Sequence, residues 1–140
     1  MFGFPHHIDL TVSDLERSVG FYETVLSELG FQRSEMYSGG APCWISGQIP
    51  GAVFSIAIKR ARDASPHNRY APGLHHLAFA ADSREAVDRF HGFLVRKGIE
   101  VLDAPAEYDY TPGYYAVFFS DPDGIKLELV YEPHPERTDA

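Results

Sequence analysis

HHIDLTVSDLE, at residues 6–16, reads as a strand running into a helix. Ile8, Leu10 and Val12 alternate with His7, Asp9 and Thr11, and successive side chains of a strand point to opposite faces. Ser13 followed by Glu16 has the spacing of a capping box. Leu15, Val19, Tyr22, Leu26 and Leu29 then recur at helical spacing, and Gly30 stands where a helix C′ glycine is expected. HHLAFAADSRE, at residues 75–85, repeats the arrangement. Leu77, Phe79 and Ala81 oppose His76, Ala78 and Ala80, Asp82 and Glu85 have the capping spacing, and Val87, Phe90 and Leu94 precede Gly98. Laying one stretch on the other puts His7 on His76, with a one-residue gap inside the helix before Gly30 meets Gly98.

Three strands are expected after each helix. In the first half they fall near 31–38, 42–48 and 52–60, with Gly39-Gly40 and Pro50-Gly51 as turns. In the second they fall near 99–109, 113–120 and 125–131. The chain therefore reads as two βαβββ modules, 6–60 and 73–132, joined by a polar linker at 61–72 and followed by a polar tail at 133–140. A duplicated unit of this kind implies that each half needs the other to bury its sheet face. The expected fold is α+β in one domain, 1–140, with the modules pairing into a curved mixed sheet and the helices on its outer face.

Composition narrows the function. The 140 residues are 44% hydrophobic and 23% charged, ordinary for a soluble globular domain. A net charge of −8 gives no attraction for a phosphate backbone, so nucleic acid is not an expected partner. Cys43 is the single cysteine, which excludes an intrachain disulfide and thiolate zinc clusters and suits a reducing cytoplasm. MFGFPHHIDL has neither a basic leader nor a long apolar run, so no membrane segment is expected.

DGIKLELVY, at 123–131, holds a misfit. Ile125, Leu127, Leu129 and Tyr131 alternate as a buried face, while Glu128 stands opposite between Lys126 and Val130. Such a face could simply meet water. His7, His76 and Glu128, however, each lie opposite the aliphatic residues of their own strand. With both helices on one side of the sheet, these three share the other. Two imidazoles and a carboxylate on one concave face are the donors that suit Fe²⁺, Mn²⁺, Ni²⁺, Co²⁺ or Zn²⁺, with positions left open for a substrate.

HHIDLTVSDLERSVGFYETVL, GLHHLAFAADSREAVDRF and SDPDGIKLELVYEP resemble the vicinal-oxygen-chelate superfamily, which includes glyoxalase I, bleomycin-resistance proteins, fosfomycin-resistance enzymes and extradiol dioxygenases. The likeness spans about 6–133, and DPDG-x-x-x-E is its most specific piece. It implies a cup around one divalent metal ion per site, with His7, His76 and Glu128 at the ligand positions and His6 and His75 as structural neighbours. It further implies bidentate chelation of a small oxygen-rich substrate, lyase, isomerase or dioxygenase chemistry, and a homodimer. The family's fourth ligand position corresponds to Ser55, a poor ligand, so three protein ligands are expected. Short bacterial glyoxalase I carries a glutamate at that place and an arginine at Thr11, and both are missing, which points away from glutathione. Extradiol dioxygenases place a tyrosine where Phe118 stands.

The remaining polar candidates are His67, Arg69 and the tyrosines of EYDYTPGYYAVFF. Tyr114 and Tyr115 are candidate catalytic residues, able to donate a proton or orient an oxyanion, and alternation puts them on opposite faces. His67 is a third candidate. Trp44 and Cys43 read as core or cup lining. The rival function is a metal-independent small-molecule or drug-binding protein like the bleomycin-resistance members, which usually lack the His/His/Glu set.

Overall fold

Strand β1 (His7–Val12) leads into helix α1 (Leu15–Glu28), and β2 (Gln32–Ser34), β3 (Cys43–Ile49) and β4 (Ala52–Arg60) follow. The order then repeats with β5 (His76–Ala80), α2 (Arg84–Arg96), β6 (Val101–Glu107), β7 (Tyr115–Ser120) and β8 (Lys126–Tyr131). This computed structural model describes residues 3–35, 38–49 and 52–133. The expected Pro50-Gly51 turn and all of the expected tail but Pro133 lie outside the described residues. Two compact units, Met1–Pro66 and His67–Ala140, divide the chain.

Each unit contains one four-stranded mixed sheet, ordered β1-β4-β3-β2 in the first and β5-β8-β7-β6 in the second. The outer strand next to each helix runs parallel to its neighbour, β1 with β4 and β5 with β8, and the remaining pairs are antiparallel. The duplication read from the sequence is thus a duplication of topology.

Both helices start one residue later than the capping spacing suggests. In α1 the N-cap is Asp14, whose Oδ1 accepts from the Arg17 amide at 3.1 Å, while the Ser13 hydroxyl accepts from the Arg17 guanidinium. In α2 the N-cap is Ser83, accepting from the Ala86 amide at 3.1 Å, and Asp82 accepts from the Ser83 hydroxyl instead. A side-chain oxygen satisfies the third helical amide only from the position directly before the first turn, and that place belongs to Asp14 and Ser83.

The ends match the expectation. Gly30, with φ 87°, donates to Ser27 O while Phe31 donates to Leu26 O. Gly98, with φ 68°, donates to Val95 O while Ile99 donates to Leu94 O. These are Schellman endings, and their left-handed residue favours glycine.

The helices cover the aliphatic face of their own sheets. Tyr22, Val25 and Leu26 of α1 are buried, and the Tyr22 ring lies 6.3 Å from that of Trp44, whose Nε1 donates to Glu23 at 2.6 Å. Phe90 of α2 meets Phe119 edge-on at 5.3 Å, above buried Leu127 and Leu129. The expected strand at 31–38 is short: β2 ends at Ser34, and Ser38–Gly40 forms a 3-10 turn with Gly39 at φ 62°. Among the described residues no helix is long and apolar enough to cross a membrane.

Candidate metal centre

Glu128 occupies the middle of β8, which is itself flanked on both sides. Ladder register sets it beside Ala78 of β5 and Phe118 of β7. Its neighbours Leu127 and Leu129 pair with Phe119 and Val117 toward α2, so Glu128 points to the other face together with His76, Lys126 and Phe118. That face does not leave Glu128 to water, because the residue is 1% exposed. A carboxylate so placed costs several kcal/mol unless partners replace its hydration. His76 Nε2 lies 3.1 Å from Oε1, and the Tyr114 hydroxyl donates to Oε2.

His76 is fixed on its other side as well. Its Nδ1 lies 2.7 Å from Nδ1 of His75, and its ring meets Phe118 edge-on at 6.1 Å. His6 and His7 repeat the same contact in the first module, Nδ1 to Nδ1 at 2.8 Å. Two ring nitrogens at that distance share one proton, so in each pair one ring donates from Nδ1 and the other accepts there. His6 and His75 are therefore not merely register neighbours of the aliphatic face, since their rings curl back onto the candidate ligands. Partial desolvation, then the charges of His76, Lys126 and Arg69, lower the proton affinity of His75.

The two tyrosines separate as alternation requires. Tyr114 joins the donor pair, and burial followed by its hydrogen bond to Glu128 pushes its hydroxyl far up from the ordinary value. Tyr115 turns toward α2, donating to Asp88 at 2.6 Å beneath the Arg84 guanidinium, 4.1 Å from the ring centroid. Of the two candidate tyrosines, Tyr115 thus places its hydroxyl on the helix-covered face. His67 is exposed and makes no hydrogen bond or ion pair to His76, Glu128 or Tyr114. Around Tyr114, Tyr108 and Tyr110 stack at 5.5 Å, Tyr108 meets Phe118 edge-on at 5.4 Å, and residues 107–114 line a cavity of about 300 Å³.

The first module supplies a different set. His7 pairs with Ser55, and Asp9 with Ala57, so this face carries His7, Ser55 and Ala57. By the common register Ser55 is the counterpart of Lys126, and Ala57 the counterpart of Glu128. The duplicated place thus holds no carboxylate, and Asp9 is engaged by Lys59 at 2.8 Å. Among the described residues no three His, Cys, Asp or Glu side chains converge within either module. Chemically the second module fits half a divalent-metal site: a carboxylate oxygen and an imidazole nitrogen, donor types that divalent ions take, facing each other at 3.1 Å.

Comparison with known proteins follows the same outline. A family model described as the Glyoxalase/Bleomycin resistance protein/Dioxygenase superfamily matches residues 5–129. The uncharacterized protein YqjT of Bacillus subtilis (strain 168) is 39% identical over 129 residues, 89% of this chain and 96% of the relative. The metallothiol transferase FosB of Lysinibacillus sphaericus (strain C3-41) is 26% identical over 124 residues, 89% of this chain and 79% of the relative. The crystal structure of a candidate glyoxalase from Bacillus halodurans aligns with a TM-score of 0.73 and 31% identity, covering 93% of this chain and 96% of that one. A glyoxalase/bleomycin resistance protein from Albidiferax ferrireducens T118 aligns with a TM-score of 0.64 and 26% identity, covering 91% and 98%.

Proposed function

This chain belongs to the Glyoxalase/Bleomycin resistance protein/Dioxygenase superfamily, and from that membership we propose that it is a divalent-metal-dependent enzyme acting on a small oxygen-rich molecule. The observation that carries the reading is the buried Glu128 carboxylate with the His76 Nε2 nitrogen 3.1 Å away. A hydrophobic residue of that size would stabilise the sheet at lower cost, so a carboxylate there has a use other than packing.

The proposed ligands are His7, His76 and Glu128, with His7 delivered by the first module of the same chain or of a second copy. A bound divalent ion supplies Lewis acidity toward adjacent substrate oxygens, worth several kcal/mol on developing negative charge. The chain's own residues prepare that chemistry. His75 and His6 hold the Nδ1 side of their neighbours, which fixes the orientation of both rings. Tyr114 holds one carboxylate oxygen of Glu128, which restricts its rotation and leaves the other oxygen toward His76. The reaction is of lyase, isomerase or dioxygenase type, to which the name of the Lysinibacillus relative adds metallothiol transfer. The proposed setting is a cytoplasmic homodimer.

Metal analysis of protein purified without a histidine tag tests the reading. Close to one divalent ion per site is expected, with loss in both His7→Ala and Glu128→Ala. Full metal content in both variants would show the ligand assignment to be wrong. A metal-free protein that still captures a small molecule with unchanged affinity after His76→Ala would instead establish the metal-independent binding function. Light scattering at the working concentration tests the dimer.

A further inference from the structure

The segment between β6 and β7 carries Tyr114, and the path of β8 decides what its tip meets. Tyr131, the last residue of β8, pairs with Tyr115, the first of β7. The two strands are antiparallel, so the chain leaving β8 runs past the residues that enter β7. Two contacts result. The Thr111 hydroxyl donates to Glu132 Oε1 at 2.5 Å. The Pro133 ring lies against Gly113, where a Cβ would meet its Cγ at 2.8 Å. Gly113 has φ 80°, a left-handed conformation that favours glycine, so backbone and contact select the same residue there.

The roots of the segment are held by α2. Glu107, at the end of β6, is paired with Arg84 at 2.6 Å, and Tyr115 donates to Asp88 of the same helix. Between these roots the segment closes on itself, the Tyr108 amide donating to Tyr114 O at 3.1 Å and the Tyr114 amide to Thr111 O at 3.2 Å. Thr111 therefore bonds Glu132 through its side chain and Tyr114 through its carbonyl. An exposed segment of this kind opens at little cost unless its tip is tied to a packed element. β8, with β5 on one side and β7 on the other, is such an element.

We infer that Thr111 and Gly113, gripped by Glu132 and Pro133, form a latch that keeps the Tyr114 hydroxyl on Glu128. These four are positioning residues, acting on the donor pair through Tyr114. With the latch open, the hydroxyl leaves the carboxylate and the cavity lined by residues 107–114 opens to solvent. The weight placed on Glu128 rests on the metal-dependent reading above, whereas the latch itself is a property of metal-free protein.

Full-length metal-free protein labelled with 3-fluorotyrosine is followed by ¹⁹F NMR, with the two signals assigned by Tyr114→Phe and Tyr115→Phe. A soluble paramagnetic agent reports how far each ring is open to solvent. Thr111→Val keeps the side-chain shape and removes the hydroxyl. That variant and Pro133→Gly should each raise the agent's effect on Tyr114 about twofold or more and leave Tyr115 unchanged. Thr111→Ser should restore the original value. Tyr114 unmoved in both variants, or not returned by Thr111→Ser, overturns the latch. So does an equal rise at Tyr115, which is held to α2 and reports loosening of the sheet as a whole. Mn²⁺ binding by the same proteins separates the two readings. Tyr114 released by Thr111→Val in a chain that binds no Mn²⁺ keeps the latch and overturns the metal reading. Mn²⁺ bound by a chain whose Tyr114 never moves does the reverse.

Discussion

A carboxylate in the middle of a four-stranded sheet must find partners for both oxygens. Glu128 finds His76 on one and Tyr114 on the other. Tyr114→Phe removes the donor to a buried charged acceptor and should cost about 1–3 kcal/mol in metal-free protein, read by urea unfolding. Tyr115→Phe breaks a bond at the surface of α2 and should cost about 1 kcal/mol or less. Equal losses would contradict the placement of the two rings on opposite faces. The Tyr115 hydroxyl is raised above its ordinary value of 10.0, first by its hydrogen bond to Asp88. A raised folded-state value means that the contribution is complete below the unfolded value and disappears as pH climbs through the folded one. Wild type and Tyr115→Phe should therefore converge in stability at strongly alkaline pH.

The two helices illustrate how an element is bounded by single atoms. Asp14→Ala and Ser83→Ala should each cost about 0.5–2 kcal/mol of unfolding free energy, whereas Ser13→Ala and Asp82→Ala should stay within about 0.5 kcal/mol. The reverse ranking would restore the start positions suggested by the capping spacing. Both spacings were present in the sequence, since S-D and D-S each offer two acceptors in a row, and only the backbone trajectory selects between them. Ser18, fully buried in α1, has an Oγ with no hydrogen-bond partner among the described residues. Ser18→Ala removes that unmet hydroxyl and raises helix propensity, so a gain of about 0.5–1 kcal/mol is expected by denaturant titration. Helix ends were legible without the structure, because Gly30 and Gly98 supply a left-handed residue that few others provide.

For the whole molecule the proposed ligand set makes stability depend on metal. An ion held at 100 times its dissociation constant adds about 2.7 kcal/mol to the folded state. Thermal unfolding in excess Mn²⁺ should accordingly rise relative to a chelator-treated sample, and Glu128→Ala should abolish the difference; an equal rise in that variant would mean binding elsewhere. The sequence alone determined the repeated βαβββ order, the helix ends and the aliphatic phase of β1, β5 and β8. It could do so because hydrophobic periodicity and glycine placement are local properties, set by which face of a strand or helix avoids water. Ladder register was beyond its reach, since register is a relation between strands distant in the chain and shows only once they are paired. Tertiary structure therefore decided that Tyr114 and not Tyr115 reaches Glu128, that Ala57 stands at the carboxylate's duplicate place, and that Lys126 lies beside His76. Each is a contact between segments whose separation along the chain leaves no trace in either segment by itself.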